Sequence, residues 1–161
     1  MIEKFGNIWE FGRYSSCVAI TTNGCVTKEG KCVMGRGIAL QAREMFPGID
    51  RILGQKIKRF GNIPIAIGQF NFRGNKEHCR PNKYRIFSFP TKHNWREKSD
   101  IKLIEQSARI LGALFTRVWG HETMYLVRPG CNNGGLDWET EVKPVIDPLL
   151  DSHFIIVERE K

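Results

Sequence analysis

The sequence predicts an α/β domain with helices on both faces of one sheet, and three observations carry that prediction. Short apolar strands alternate with amphipathic helices along the 161 residues. Three loops rich in Gly, Asn and Pro each follow directly on a strand. No repeat, linker or low-complexity tract divides the chain, so residues 1–161 are read as a single domain, close to the common domain length of roughly 100–150 residues.

Taken in order, an opening strand falls near Ile2–Phe5. Cys17–Thr22, Pro64–Phe70, Arg85–Phe89, Thr123–Arg128 and Phe154–Glu158 then read as short buried strands. Between them, Ile38, Ala42, Met45 and Phe46 form a helical stripe closed by Pro47-Gly48. Ile49, Leu53, Ile57 and Phe60 form a second. Ile101, Ile104, Ala108, Leu111, Phe115 and Val118 keep the helical period longest, and Ser99 is placed to cap that helix. Val142, Val145, Ile146, Leu149 and Leu150 form the last stripe. The polar, basic segment Asn71–Lys83 is expected to be an exposed hairpin tip or loop.

Composition narrows the classes of function. An apolar fraction of 41% and a charged fraction of 26% are ordinary for a soluble domain. No apolar run approaches the roughly 18 residues of a spanning helix. The opening MIEKFGNIWEFGR carries charge where a signal peptide needs an apolar stretch, so a cytoplasmic protein without membrane contact is expected. The five cysteines are odd in number and contain no C-x-x-C pair, as expected of reduced thiols. Cys25, Cys32, His78 and Cys79 match no common zinc spacing, so neither metal nor cofactor is expected. The net charge of +8, with clusters at Lys56–Arg59, Arg73–Arg85 and Lys92–Lys98, attracts polyanions and permits contact with nucleic acid. A monomer is expected.

The unusual residues fall just after three predicted strands. Thr22 is followed by Asn23-Gly24 and a loop ending Met34-Gly35-Arg36-Gly37-Ile38; Phe89 by Pro90-Thr91-Lys92-His93-Asn94-Trp95-Arg96; Arg128 by Pro129-Gly130-Cys131-Asn132-Asn133-Gly134-Gly135-Leu136-Asp137-Trp138. Ligands of open α/β sheets bind beyond the carboxyl ends of the strands, so three such loops on parallel neighbours would share one rim. Gly35-Arg36-Gly37 enters a helix, whose free N–H groups and dipole suit a phosphate; an ordinary helix entry would look the same. It is neither a Walker loop nor a full dinucleotide fingerprint, since Leu40 stands where a third Gly or Ala belongs. Gly130–Gly135 is a second glycine turn before a helix, readable as a tight turn or a second phosphate site. Together they suggest a diphosphate. Lys92 is either a surface charge or a nucleophile on this rim, and Asp137 either caps the next helix or serves as a catalytic carboxylate. Trp95 and Trp138 are expected to pack on the core, the alternative being that they wall a pocket.

These same residues resemble macro domains, and within them the DNA ADP-ribosyl-glycohydrolase antitoxin and terminal ADP-ribose glycohydrolase group. Thr22-Asn23-Gly24 with Val33–Gln41 is similar to the first ligand loop, Phe89–Lys92 with Trp95-Arg96 and Lys98-Ser99 to the lysine-bearing segment, and Gly130–Trp138 to the second phosphate loop. The likeness runs from about Ile2 to Glu158. It implies a three-layer α/β/α sandwich with a mixed, mostly parallel sheet and ADP-ribose in the rim cleft. By that resemblance residues near Asn7-Ile8 border the adenine, and Asn23 meets the distal ribose. Gly35, Arg36, Gly37 and Ile38, with Asn133, Gly134, Gly135 and Leu136, wrap the diphosphate, and Thr22, Met34, Gly130, Cys131 and Asn132 complete the ligand-binding set. Lys92 attacks the distal ribose and Asp137 helps resolve the adduct. The implied activity is ADP-ribosyl hydrolysis from DNA or protein, the alternatives being an ADP-ribose 1''-phosphate phosphatase and a non-catalytic reader. Three departures stand out: Asn7 where Gly-Asp-Ile is usual, Asn132 in place of glycine after an unusual Arg128-Pro129, and the extra stretch Cys25–Cys32.

Overall fold

The strand β2 (Cys17–Asn23) runs through the centre of the sheet, and its residues Cys17 to Ile20 are wholly buried. A strand covered on both faces needs a continuous apolar run rather than polar alternation, which is what Cys-Val-Ala-Ile supplies. Side chains alternate across the sheet, so Val18 and Ile20 enter one core cluster while Cys17 and Ala19 enter the other. The computed structural model describes residues 1–11, 17–72, 82–118 and 122–158.

The other strands are β1 (Ile2–Phe5), β3 (Ala66–Phe72), β4 (Asn82–Lys92), β5 (Met124–Val127) and β6 (Phe154–Glu158). They stand in the order β1-β6-β5-β2-β4-β3, with every neighbouring pair parallel except β3 and β4. Helices α1 (Ile8–Phe11), α2 (Gly37–Met45) and α3 (Ile49–Phe60) bury Ile8, Trp9, Ala42, Leu53 and Ile57 against one face. Helices α4 (Ile101–Val118) and α5 (Lys143–Ile146) bury Ile104, Ala108, Leu111, Phe115 and Ile146 against the other. This is the α/β/α sandwich with a mixed, mostly parallel sheet.

Several local expectations need correction. Helix α4 is capped by Asp100, whose Oδ1 accepts the Lys102 N–H at 2.9 Å and whose carbonyl accepts Ile104 N–H. Ser99 is instead buried beneath the third loop, where its N–H donates to the Gly134 carbonyl at 2.9 Å. The last helical stripe is not one helix: a π-type turn at Trp138–Val142, then α5, then a 3-10 turn at Asp147–Leu149 carry Val142, Ile146 and Leu150 inward. Pro144 and Pro148 lie four apart, so the hydrogen bond that would join one turn to the next has no donor. The expected exposed tip at Asn71–Lys83 falls mostly on residues 73–81, outside those described; its flanks pair as strand, Phe72 opposite Asn82.

The short helix α1 was not foreseen. Asn7 starts it, its Oδ1 accepting the Trp9 N–H at 3.0 Å, and buried Trp9 then donates from Nε1 to Gln41 while its carbonyl accepts the Tyr84 hydroxyl at 2.8 Å.

The extra stretch Cys25–Cys32 folds into a hairpin bridged between Val26 and Cys32 and seated on α3, where the Cys32 N–H donates to the Asp50 carbonyl at 2.9 Å. Gly54 of α3 makes the seat: a Cβ there would stand 2.2 Å from the Gly30 carbonyl oxygen and 2.9 Å from the Cys32 nitrogen. A helical Gly→Ala change ordinarily stabilises by about 1 kcal/mol. Here the clash is with backbone, so Gly54→Ala is expected to cost about 2 kcal/mol instead, read from urea unfolding. A stabilised variant would refute the packing.

Candidate functional site

Strands β5, β2 and β4 are adjacent and parallel, so the loops that follow them emerge at one carboxyl rim. With the Gly6–Phe11 segment after β1 they enclose a cleft of ≈ 1730 Å³. All the residues expected to act on a ligand line it except Met34, whose side chain is 1% exposed and belongs to the core beside Ile38 and Ala39. Its flexible thioether fills space in the core beneath the loop.

Asn23 ends β2 and clamps the first loop. Its Oδ1 accepts the Cys25 N–H at 3.0 Å and its Nδ2 donates to the Val33 carbonyl at 2.8 Å, so the hairpin 25–32 is pinched off outside the cleft and Val33 re-enters it. Burial pushes the Cys32 thiol up to about 12, leaving it a packing residue. Helix α2 begins without a side-chain cap, and its first bond runs from the Leu40 N–H to the Arg36 carbonyl. The N–H groups of Gly37, Ile38 and Ala39 therefore have no partner within the helix, as an anion site requires.

Lys92 ends β4 opposite Asn23, at a register shift between β2 and β4. Its carbonyl accepts from the Gly24 N–H at 3.2 Å and from the Asn62 Nδ2 at 3.0 Å. Its Nζ donates to the Asn133 carbonyl at 2.9 Å. The backbone is thus fixed while the ammonium of this half-buried residue reaches the third loop in the open cleft. Asn62, just past the C-terminal glycine of α3, was missed from sequence, since nothing local connects it to Lys92. His93 turns away: its Nε2 pairs with Asp100 Oδ2 at 3.1 Å and it is not among the residues lining the cleft.

The third loop winds through a 3-10 turn at Asn132–Gly134. Asn132 has φ +56°, a left-handed conformation that asparagine tolerates better than most residues, which explains how it stands where glycine is usual. The Gly134, Gly135 and Leu136 N–H groups bond inward to the Cys131, Asn132 and Gly130 carbonyls. Their amides are therefore spent on the turn, and those of Cys131 to Asn133 are the ones left for a ligand. Across the cleft, a Cβ on Gly37 would lie 3.5 Å from Asn133 Nδ2, so the two glycine turns face each other. Cys131 lines the cleft as a thiol that burial pushes up to about 11.

Asp137 caps the turn that follows, its Oδ1 accepting the Thr140 hydroxyl at 2.7 Å and the Thr140 N–H at 2.8 Å. The Thr140 hydroxyl and then its N–H hold the carboxyl below the usual aspartate range. Trp138 is buried, with Nε1 donating to Glu3 at 3.0 Å and the Arg128 guanidinium 5.1 Å from its ring; Trp95 is exposed at the cleft mouth, contrary to expectation. Arg128 also pairs with Glu158 at 2.8 Å and Glu3 at 3.1 Å, and Lys143 pairs with Glu3 at 2.6 Å. These contacts tie both ends of the third loop to β1 and β6.

Burial alone would raise the Glu3 carboxyl, but hydrogen bonds from Lys143, Arg128 and Trp138 outweigh it and hold the group below its ordinary range. A carboxyl lowered on folding adds stability above its unfolded value, about 4.3, and loses it as pH falls through the folded value. Urea midpoints for wild type and Glu3→Gln should accordingly differ at pH 7 and converge only as pH falls from about 4.3 through the lowered folded value. A gap that persists in acid would assign the effect of Glu3 to packing.

Among the described residues there is no cluster of side chains able to hold a metal, and no helix is long and apolar enough to cross a membrane. No family model matches the chain. A DNA ADP-ribosyl glycohydrolase of Thermus aquaticus is 32% identical over 122 residues, covering 74% of this chain and 31% of that protein. The chain spans about a third of the length of the curated relatives it matches. Among solved structures, the macrodomain of Thermus aquaticus DarG is 28% identical with 99% of each chain covered and a TM-score of 0.67. Thermosipho africanus DarTG in complex with ADP-ribose is similar in fold, with a TM-score of 0.71 and 20% identity over 99% of this chain and 42% of that one. With this fold, this order of loops and these relatives, the chain is a macro domain similar to that of DarG.

Proposed function

We propose that this macro domain grips ADP-ribose in the rim cleft and hydrolyses it from modified DNA, with Lys92 as nucleophile and Asp137 as proton acceptor. The observation that carries the reading is the junction at Asn133. Its side chain faces Gly37 of the first loop and its carbonyl accepts from the Lys92 ammonium, so an amine stands beside two turns with unspent amides. A diphosphate on those amides would bring the distal ribose to the end of β4.

In the proposed reaction the Lys92 ammonium gives one proton to solvent water, its amine forms a bond to the anomeric carbon as the bond from that carbon to the nucleobase breaks, and a second proton from the nitrogen goes to the departing base. The sugar ring opens, its oxygen taking the remaining proton from that nitrogen, to give an imine on Lys92. Water adds to the imine carbon, its proton passing through Asp137 to the nitrogen, and the amine leaves with the proton of the new hydroxyl as ADP-ribose closes. Each step exchanges one bond at the anomeric carbon, and the net reaction consumes one water.

The test is release of free ADP-ribose from an ADP-ribosylated oligonucleotide, beside calorimetric binding of ADP-ribose itself. Binding with release is expected. Binding without release would make the protein a reader, and phosphate release from ADP-ribose 1''-phosphate would make it a phosphatase. The outward turn of His93 does not favour the last.

A further inference from the structure

Trp95 is 46% exposed, whereas Trp9 and Trp138 are 8% and 5% exposed. An indole left in water forgoes burial of a large part of its apolar surface. The loop that holds it there is closed by its own hydrogen bonds. Asn94 accepts the Arg96 N–H on its side chain at 3.0 Å and the Glu97 N–H on its carbonyl at 3.1 Å, so Trp95 sits at the apex of a closed turn. The Arg96 guanidinium lies 4.8 Å from the indole centroid, and the ring lines the cleft mouth three residues beyond Lys92. Exposed Lys98 follows on the same loop and exposed Arg36 stands on the first; neither they nor Arg96 have an ion-pair partner among the described residues. Glu97 is the opposing charge on this stretch.

We infer that Trp95 and Arg96 form a platform for a single-stranded polynucleotide, on which a base next to the modified nucleotide stacks while Arg96 and Lys98 meet its phosphates. This rests on the reading of the cleft given above. An exposed aromatic face beside unpaired cations is how strands are gripped without reading sequence, because every base offers a π-face and every linkage a charge. A duplex cannot use it, since its bases already stack on each other. Trp95 is thus a specificity residue for the strand that carries the ADP-ribose.

The test compares wild type, Trp95→Ala, Trp95→Phe and Arg96→Ala on an ADP-ribosylated single-stranded oligonucleotide, the same modification on a mononucleoside, and an unmodified single strand. Trp95→Ala should raise KM for the oligonucleotide roughly 10- to 100-fold, Trp95→Phe should restore most of it, and the ratio of KM for mononucleoside to oligonucleotide should fall toward one. Binding of the unmodified strand should weaken in parallel and be salt-dependent, less steeply so in Arg96→Ala. Equal losses on oligonucleotide and mononucleoside, or none on either, would overturn the platform. If wild type releases no ADP-ribose yet the unmodified strand still binds through Trp95, the platform stands and the hydrolase reading fails. Release that ignores Trp95 leaves the hydrolase and removes the platform.

Discussion

Lys92→Ala is expected to lower the release of ADP-ribose from modified DNA by three orders of magnitude or more, roughly the scale seen when a covalent nucleophile is removed. The structure makes this a clean substitution. Lys92 is anchored through its backbone, by Gly24 and Asn62, and the side chain contributes one hydrogen bond to Asn133. Loss of that bond should leave the fold intact and weaken ADP-ribose binding by no more than about tenfold, as suits a net contribution near 1 kcal/mol. Lys92→Arg sharpens the test. It keeps a cation beside Asn133 but offers no amine able to shed its proton, so it should be as inactive as the alanine variant. Borohydride reduction during turnover should add the mass of a reduced ADP-ribosyl group to the peptide carrying Lys92 in wild type and in neither variant. Substantial activity in the Lys92→Arg variant would mean that Lys92 acts as a charge and not as a nucleophile.

What made Lys92 a candidate was legible in the sequence, while what makes it usable was not. The apolar run Cys17–Ile20 announced a strand buried on both sides, and the spacing of Ile104, Ala108, Leu111 and Phe115 announced the face of α4, because burial writes its period directly into the chain. The reach of β4 to Lys92 was hidden by Pro90, which is unusual inside a sheet; it is tolerated where the pairing with β2 slips out of register. Ser99 and Asp100 are both good caps by composition, and only the third loop, drawing Ser99 under Gly134, decides for Asp100. The exposure of Trp95 and the hold of Asn62 on Lys92 depend on contacts across the fold that no window of sequence contains.

Asp137 presents two roles on one atom, and substitutions can separate them. Its Oδ1 caps the turn through Thr140, and the same hydrogen bonds hold the carboxyl below the usual aspartate range, so at neutral pH it can take a proton from water and has none to give. Asp137→Asn keeps an oxygen that accepts both Thr140 bonds and removes the charge. It should therefore melt close to wild type while turnover falls about 10²- to 10⁴-fold, the usual worth of a positioned base. Asp137→Ala should lose turnover equally and also melt about 2–4 °C lower, as a lost cap predicts for a domain of this size. Because the carboxylate acts after the imine has formed, Asp137→Asn should accumulate more borohydride-trappable adduct on Lys92 than wild type does, where both Lys92 variants accumulate none. In wild type one acid-side inflection of the rate should lie where the lowered carboxyl protonates, and that inflection should vanish in Asp137→Asn. An asparagine variant with full turnover would leave Asp137 as a cap alone and pass the proton to another group on the rim.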